Sequence, residues 1–291
     1  MTMSGGAAPP VMVETADLDR ARNAGPMKVR RRWGRRLLTA FAALVFLWLF
    51  APLINIVIFT FNKPAGRRNL SWNEFTLENW SQPFKDTDLT SAFMRSLLVS
   101  AIAVSVALVL GSLMAIALSR YRFTGSKVTE IFLVLPLTTP EIVLGASLYQ
   151  LFLGSNTTLG FSTIVIAHIM FCVSFVALTV KARVRGFDWT LEDAALDLGA
   201  GPTRTFFTVT LPLIVPGIVA AAMLSFALSL DDFIITYFVS GSTVTYPLYV
   251  NAATKAAVPP QINVLATAIL LISLILLVAG TMYRRKRLDL T

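Results

Sequence analysis

Six stretches of this chain run for twenty residues or more with almost no charge, and few folds can accommodate that. Residues 37–61, 96–119, 161–180, 205–230 and 262–283 carry no Asp, Glu, Lys or Arg, and 131–153 carries only Glu141. A bilayer core is about 30 Å thick and a helix rises about 1.5 Å per residue, so each run is long enough to span it. Buried helices of soluble proteins seldom stay apolar for so long, and 55% hydrophobic residues against 14% charged point the same way. The expected fold is all-α, a polytopic membrane protein with six transmembrane helices.

Arginines precede the first run at positions 30, 31, 32, 35 and 36 in the manner of a signal peptide. Its apolar core, however, is longer than the roughly 7–15 residues of a signal sequence, so it is expected to remain as a helix. Residues 1–35 read as a disordered basic cytoplasmic tail, since the first 29 mix Gly, Ala, Pro and scattered charge without apolar period.

Lys and Arg resist translocation, so their distribution orients the chain. With six spans both termini share a side. Placing them inside gathers 19 of the 25 basic residues there and leaves Lys63, Arg67, Arg68, Lys85, Arg95 and Lys255 outside. Both termini are therefore expected in the cytoplasm. The net charge of +9 is then a topology signal and not a nucleic-acid surface, because the positive residues flank spans. Cys172 and His168 lie within one span. The single cysteine has no intrachain partner, and the lone histidine has no second metal ligand nearby, so both read as structural.

The connection between the fourth and fifth runs is long enough to have structure of its own. Thr190-Leu191-Glu192-Asp193 places a hydroxyl at a helix start with acidic residues behind it, as in a capping box. Ala194, Ala195 and Leu196 continue the helix, Gly199 can end it in a left-handed cap, and Pro202 opens a second helix through Phe206 and Phe207 to Leu211-Pro212. Spacing alone leaves open whether its apolar face meets the bilayer or a partner protein.

Acidic residues within spans are costly and therefore candidates for function. Glu141 lies ten residues into the third run after Pro136 and Pro140, near the expected midplane, where prolines free carbonyls and kink helices. Asp231 and Asp232 lie at the far end of the fifth run. They either line a passage or merely cap a helix or pair with Arg95 or Lys255. Acids at two depths, with no basic residue deep in any run, suit a cationic solute, and Phe233, Tyr237 and Phe238 offer rings for cation–π contact.

The segment Asp193-Ala194-Ala195, Gly199, Val209, Leu211-Pro212 resembles the E-A-A-x3-G-x9-I-x-L-P signature of type I ABC-importer permeases, with Asp for Glu and Val for Ile. The resemblance implies the type I permease fold and a non-enzymatic transport subunit without cofactor. It implies that Glu192, Asp193, Ala194, Ala195, Gly199, Val209, Leu211 and Pro212 form a loop seated on a separate ATP-binding cassette subunit. That subunit would bind and hydrolyse ATP, and this chain has no G-x4-G-K-[ST] phosphate loop. It further implies a second permease subunit, most simply a heterodimeric sister, and an external solute-binding protein, with the lipid bilayer as surroundings.

Ser229-Leu230-Asp231-Asp232-Phe233 with Phe238-Val239-Ser240-Gly241, and Leu135-Pro136 through Pro140-Glu141-Ile142-Val143, are similar to stretches of the spermidine/putrescine branch. Glu141, Asp231, Asp232, Phe233 and Tyr237 are thus the candidate cargo pathway, with no metal. Permeases for ferric iron, thiamine, opines and 4-aminobutyrate share much of this layout, and an ion-gradient-driven transporter is the alternative from another class. In domain terms, 36–61 is the first span, 62–92 an external segment, and 93–283 a five-helix permease core holding the coupling loop at 183–212. Residues 284–291 form a cytoplasmic tail. Trp72, Phe75, Trp80 and Phe84 mark 62–92 as a shelf at the membrane surface or a receptor contact.

Overall fold

The computed structural model describes residues 31–121 and 123–288. Most of the expected amino-terminal tail, together with Arg122 and 289–291, lies outside them, while 31–35 are helical. The chain divides into two compact units, Met1–Asn55 and Ile56–Thr291.

The first unit consists, in its described part, of most of α1 (Arg31–Phe59), a helix with Pro52 inside it and Phe46 stacked on Phe50 at 6.4 Å. Leu44, Leu47 and Trp48 are exposed, the composition of a surface whose solvent is lipid.

In the second unit a small hairpin, β1 (Asn62–Lys63) and β2 (Glu74–Phe75), pairs antiparallel and is followed by the one-turn α2 (Glu78–Ser81). Buried Asn62 holds this segment: its side-chain amide donates to Asn69 Oδ1 (2.6 Å) and the Ser71 carbonyl (2.8 Å), and its Oδ1 accepts from the Asn73 N–H (2.8 Å). Trp72, Phe75 and Phe84 remain exposed, whereas Trp80 donates its indole N–H to Thr60 Oγ1 at 3.0 Å.

The core is built from α3 (Thr87–Arg120), α6 (Phe161–Val184) and the long element ending in α9 (Leu211–Asp231). Lipid supplies no hydrophobic drive between helices, so close approach of small residues must hold them together. Ala103, Ala107 and Ala115 of α3, Ala167 and Ala177 of α6, and Ala221 of α9 are all fully buried. At Gly111 a Cβ would come within 2.8 Å of Val176, so only glycine permits this approach of α3 to α6.

The third apolar run differs from a single kinked span. It forms α4 (Ser126–Thr138) and α5 (Glu141–Gly154), bent by 108°. Pro140 has no N–H to continue α4 and drives Thr139 into extended backbone (φ −77°, ψ 131°), so the break falls where the sequence requires it.

Among the described residues four helices are long and apolar enough to cross a bilayer: Arg36–Phe59, Thr87–Arg120, Phe161–Val184 and the continuous Pro202–Asp231. The α4/α5 pair makes a fifth if it is one broken span. The sixth run lies in α12 (Pro260–Leu288), whose apolar stretch among the described residues reaches Ile275.

Between α6 and α9 lie α7 (Thr190–Asp197), α8 (Pro202–Thr205) and one turn of π-helix, Phe206–Thr210. After α9 come α10 (Ile234–Val239) and α11 (Tyr246–Lys255). Tyr249 of α11 donates its hydroxyl to Asp86 Oδ2 (2.7 Å), whose other oxygen caps α3 at the Leu89 N–H (2.9 Å).

Candidate functional site

The break between α4 and α5 changes the setting of Glu141. It does not sit mid-helix but in the first turn of α5, where the free N–H groups favour a carboxylate. It is exposed and has no hydrogen-bond or ion-pair partner among the described residues. Across from it α9 ends at Asp231, and α10 begins three residues later.

Glu141, Asp231, Asp232 and Phe233 line one cavity of about 440 Å³, completed by Pro136, Phe171 and Phe175 among others. The acids expected at separate depths therefore share a chamber. Tyr237 is placed elsewhere. It opens onto a neighbouring cavity of about 530 Å³ with Tyr149 and Phe238, and meets the Phe233 ring at 5.8 Å.

The two adjacent aspartates have different surroundings. Asp231 is exposed and unpartnered among the described residues. The Asp232 side chain is buried: its Oδ2 accepts from the Thr236 N–H (2.8 Å) and hydroxyl (2.7 Å), which caps α10, and lies 3.4 Å from His168 Nε2. It therefore does cap a helix, but its partner is His168 and not Arg95, which donates to the Val244 carbonyl.

His168 contacts Ser229 Oγ through Nδ1 (2.7 Å) and Thr236 Oγ1 through Nε2 (2.9 Å). Ser229 reaches Ser100 at 3.0 Å. Four helices, α3, α6, α9 and α10, thus converge on one buried polar cluster behind the cavity. The lone-histidine reading missed this because its partners lie 61 to 68 residues away in sequence. Cys172, one turn on, is buried and free.

At the other end of α9 the loop folds largely as its punctuation directs. Gly199 adopts φ +85° and the Ala200 N–H reaches back to the Ala195 carbonyl, a left-handed helix stop. The start differs from expectation. Thr190 is the first helical residue, and the cap is Asp188, which accepts from the Thr190 N–H (3.1 Å) and hydroxyl (2.8 Å). These two bonds, the hydroxyl's first, hold the Asp188 carboxyl below the ordinary aspartate range.

Pro202 begins α8, and the element then runs without interruption to Asp231. In a regular turn the Pro212 ring would crowd the Thr208 carbonyl. The π-turn, in which Leu211 N–H bonds to Phe206 O, gives that carbonyl room. Asp193, Ala194, Gly199 and Pro212 are exposed, Ala195, Val209 and Leu211 are half-buried, and Leu198 projects with 89% of its surface free. Glu192 instead points inward and is buried against Arg120 and Thr210.

Several long apolar helices, a sharply broken apolar helix pair, an acidic chamber, and a surface loop continuous with a long apolar helix define a multi-pass membrane protein of the transport-permease class. Residues 107–286 match the model of the binding-protein-dependent transport system inner membrane component family, and the chain belongs to that family. It is an inner-membrane protein.

It is 37% identical over 251 residues to a Haemophilus influenzae protein named spermidine/putrescine transport system permease protein PotC, covering 86% of this chain and 97% of that one. To PotC of Escherichia coli it is 35% identical, covering 87% and 96%. With the Escherichia coli putrescine transport system permease protein PotI it shares 37% identity, covering 77% and 82%. The fold is that of solved ABC importers. A bacterial transporter involved in alginate import matches with TM-score 0.67 at 16% identity, covering 88% of this chain and 99% of that one. The MetNI methionine transporter matches with TM-score 0.54 at 17% identity, covering 67% and 94%.

Proposed function

We propose that this chain is the permease subunit of an ATP-driven importer that passes spermidine and putrescine into the cytoplasm. The observation that carries the reading is the sequence identity of 35–37% across most of the chain to permeases named for those two solutes. The chamber agrees with it. Two carboxylates without partners among the described residues, Glu141 and Asp231, with Phe233, Phe171 and Phe175 alongside, suit a flexible chain bearing ammonium groups separated by methylenes.

In this reading the chain crosses the membrane six times with both termini in the cytoplasm, catalyses nothing, and binds no cofactor. Asp193, Ala194, Ala195 and Gly199, with Leu198 beside them, meet a groove on the ATP-binding cassette subunit. Val209, Leu211 and Pro212 pass the motion into α9, whose other end holds Asp231. A sister permease completes the pore as a heterodimer, and an external solute-binding protein delivers the cargo.

The test is uptake of labelled spermidine by the four-component complex in proteoliposomes. Expected are dependence on internal ATP, persistence with a protonophore, and competition by putrescine but not by ferric chelates, thiamine or 4-aminobutyrate. Indifference to polyamines would end the cargo assignment, and uptake that survives ATP depletion but collapses with a protonophore would end the importer assignment.

A further inference from the structure

Glu192 is an anomaly in a surface loop. Leu191, Asp193 and Ala194 beside it in α7 are exposed, whereas its own side chain is only 3% exposed. One carboxylate oxygen pairs with the guanidinium of Arg120, the last residue of α3, and the other accepts from the hydroxyl of Thr210, the last residue of the π-turn. The Arg120 guanidinium is sandwiched further, lying 5.4 Å from the ring of Trp189 at the start of α7 and 5.6 Å from that of Tyr121. Three elements that are distant in sequence, α3, α7 and the base of α9, are thus joined at one buried carboxylate.

A carboxylate buried in this way would be strongly disfavoured without its partners, since leaving a buried charge unpaired is among the more destabilising changes known. Keeping Glu192 paired therefore ties α7 to α3 whenever α7 moves. Chain continuity alone would deliver motion only along α8, the π-turn and α9. That route contains a π-turn, and such turns are places where helices yield. The Thr210 hydroxyl braces that turn against the same carboxylate.

We infer that Glu192 is a positioning residue, acting with Arg120 as a clamp that carries displacement of α7 sideways into α3 while stiffening the π-turn at the base of α9. Force then enters the membrane helices by two routes. One follows the chain into α9, and the other crosses the ion pair into α3, which packs along α6 and reaches the buried Ser100–Ser229–His168 cluster behind the acidic chamber. This inference rests on the proposal that α7 takes the motion of an ATPase subunit.

The experiment measures cargo transported per ATP hydrolysed in the reconstituted complex, with complex yield and thermal midpoint recorded alongside. Arg120→Gln and Glu192→Gln should each lower the ratio by about 2- to 30-fold, the span of effects of mutations that modulate coupling between sites. Arg120→Lys, which keeps the charge, should recover most of it. In a double-mutant cycle, Arg120→Gln with Glu192→Gln should be no worse than the worse single variant, since both break the same link.

A purely structural pair would lower complex yield or thermal midpoint and leave the ratio in surviving complexes unchanged, which would overturn the inference. Additive losses in the double variant would also overturn it. If Glu192→Gln fails to assemble, Thr210→Val and Arg120→Gln carry the same measurement, and an unaltered ratio in both is equally fatal. Gly199→Trp separates the underlying reading. Normal stimulation of ATP hydrolysis in that variant refutes ATPase docking at the loop. Lost stimulation there, with a normal ratio in Arg120→Gln, refutes the clamp alone.

Discussion

His168 and Asp232 stand 3.4 Å apart, Nε2 to Oδ2, with side chains only 2% and 6% exposed. They come from α6 and from the junction of α9 and α10, so the contact fixes where α9 stops. Asp232 is held through Oδ2 by Thr236 and His168, whereas the preceding carboxylate, Asp231, is exposed at the acidic chamber. One aspartate holds the corner and the other is presented by it.

The two aspartates should therefore answer differently to substitution. Asp231→Asn removes a charge that no group among the described residues pairs with, and should raise the KM for spermidine about tenfold, a difference of about 1.4 kcal/mol, without changing thermal stability. Asp232→Asn strips an acceptor from a buried cluster and should destabilise the protein by about 1–3 kcal/mol. Uptake kinetics and thermal melts of the purified complex check both. Equal kinetic and stability profiles for the pair would contradict the division.

His168→Leu should resemble Asp232→Asn, because it leaves Ser229, Thr236 and Asp232 without their shared partner inside the bundle. A destabilisation of about 1–3 kcal/mol is expected. Adding Asp232→Asn to it should cost less than the sum, since the two residues share one network. Melting curves of the two single variants and the double variant measure this directly.

Gly111→Val tests the close contact of α3 with α6. An added Cβ would come within 2.8 Å of Val176 and 2.9 Å of the Val173 carbonyl, and backbone cannot rotate away. A loss of about 1–3 kcal/mol is expected from overpacking. Gly34→Ala, in a helix position with nothing within 4 Å, should be neutral or slightly stabilising. Similar melting points for the two variants would show that the helices are not held at this point.

These cases mark what sequence could and could not show. Local punctuation was legible. Gly199 ends α7 left-handed and Pro202 opens α8, because φ preference and the missing N–H act within a few residues. Pro140 announced a disturbance but not its size, since one proline is compatible with a kink or with the 108° break that moves Glu141 to a helix start.

The polar cluster was not legible at all. Nothing in the sequence around His168 predicts that Ser229 and Thr236 arrive beside it, because that depends on how α6 and α9 pack. The direction taken by the Glu192 side chain was hidden for the same reason, although its place in the first turn of a helix was legible. Spacing placed it near a helix dipole, while its orientation is decided by Arg120, 72 residues earlier.

Asp188 gives a prediction with a definite sign. Its carboxyl is held below the ordinary aspartate range by the Thr190 hydroxyl and N–H, so the folded state favours the ionised form. The stabilisation is therefore fully present above the ordinary value, about 3.9, and is lost only as pH falls through the lower folded value. Between pH 5 and 7, hydrogen exchange at the first turn of α7 should be pH-independent after correction for intrinsic rates. Asp188→Ala should speed it throughout. Protection that rises on going from pH 5 to 7 would mean that the carboxyl titrates in the folded state above the ordinary aspartate value.

Gly199 separates backbone from docking. Its φ of +85° penalises any side chain by about 1–2 kcal/mol, and this penalty is nearly the same for Ala and for larger residues. Within the chain a Cβ there meets nothing within 4 Å, and Gly199 is exposed, so a side chain leaves toward open space. Gly199→Ala and Gly199→Trp should then give similar melting points in the isolated permease. If α7 and its stop lie against an ATPase groove, the two must diverge in the assembled complex, where Trp alone obstructs the contact. Cargo-stimulated ATP hydrolysis should fall modestly in Gly199→Ala and at least tenfold further in Gly199→Trp, a difference of about 1.4 kcal/mol. Because the internal strain is common to both, the difference between them measures only what lies outside the chain. Identical ATPase activities would mean that this face of the loop touches nothing.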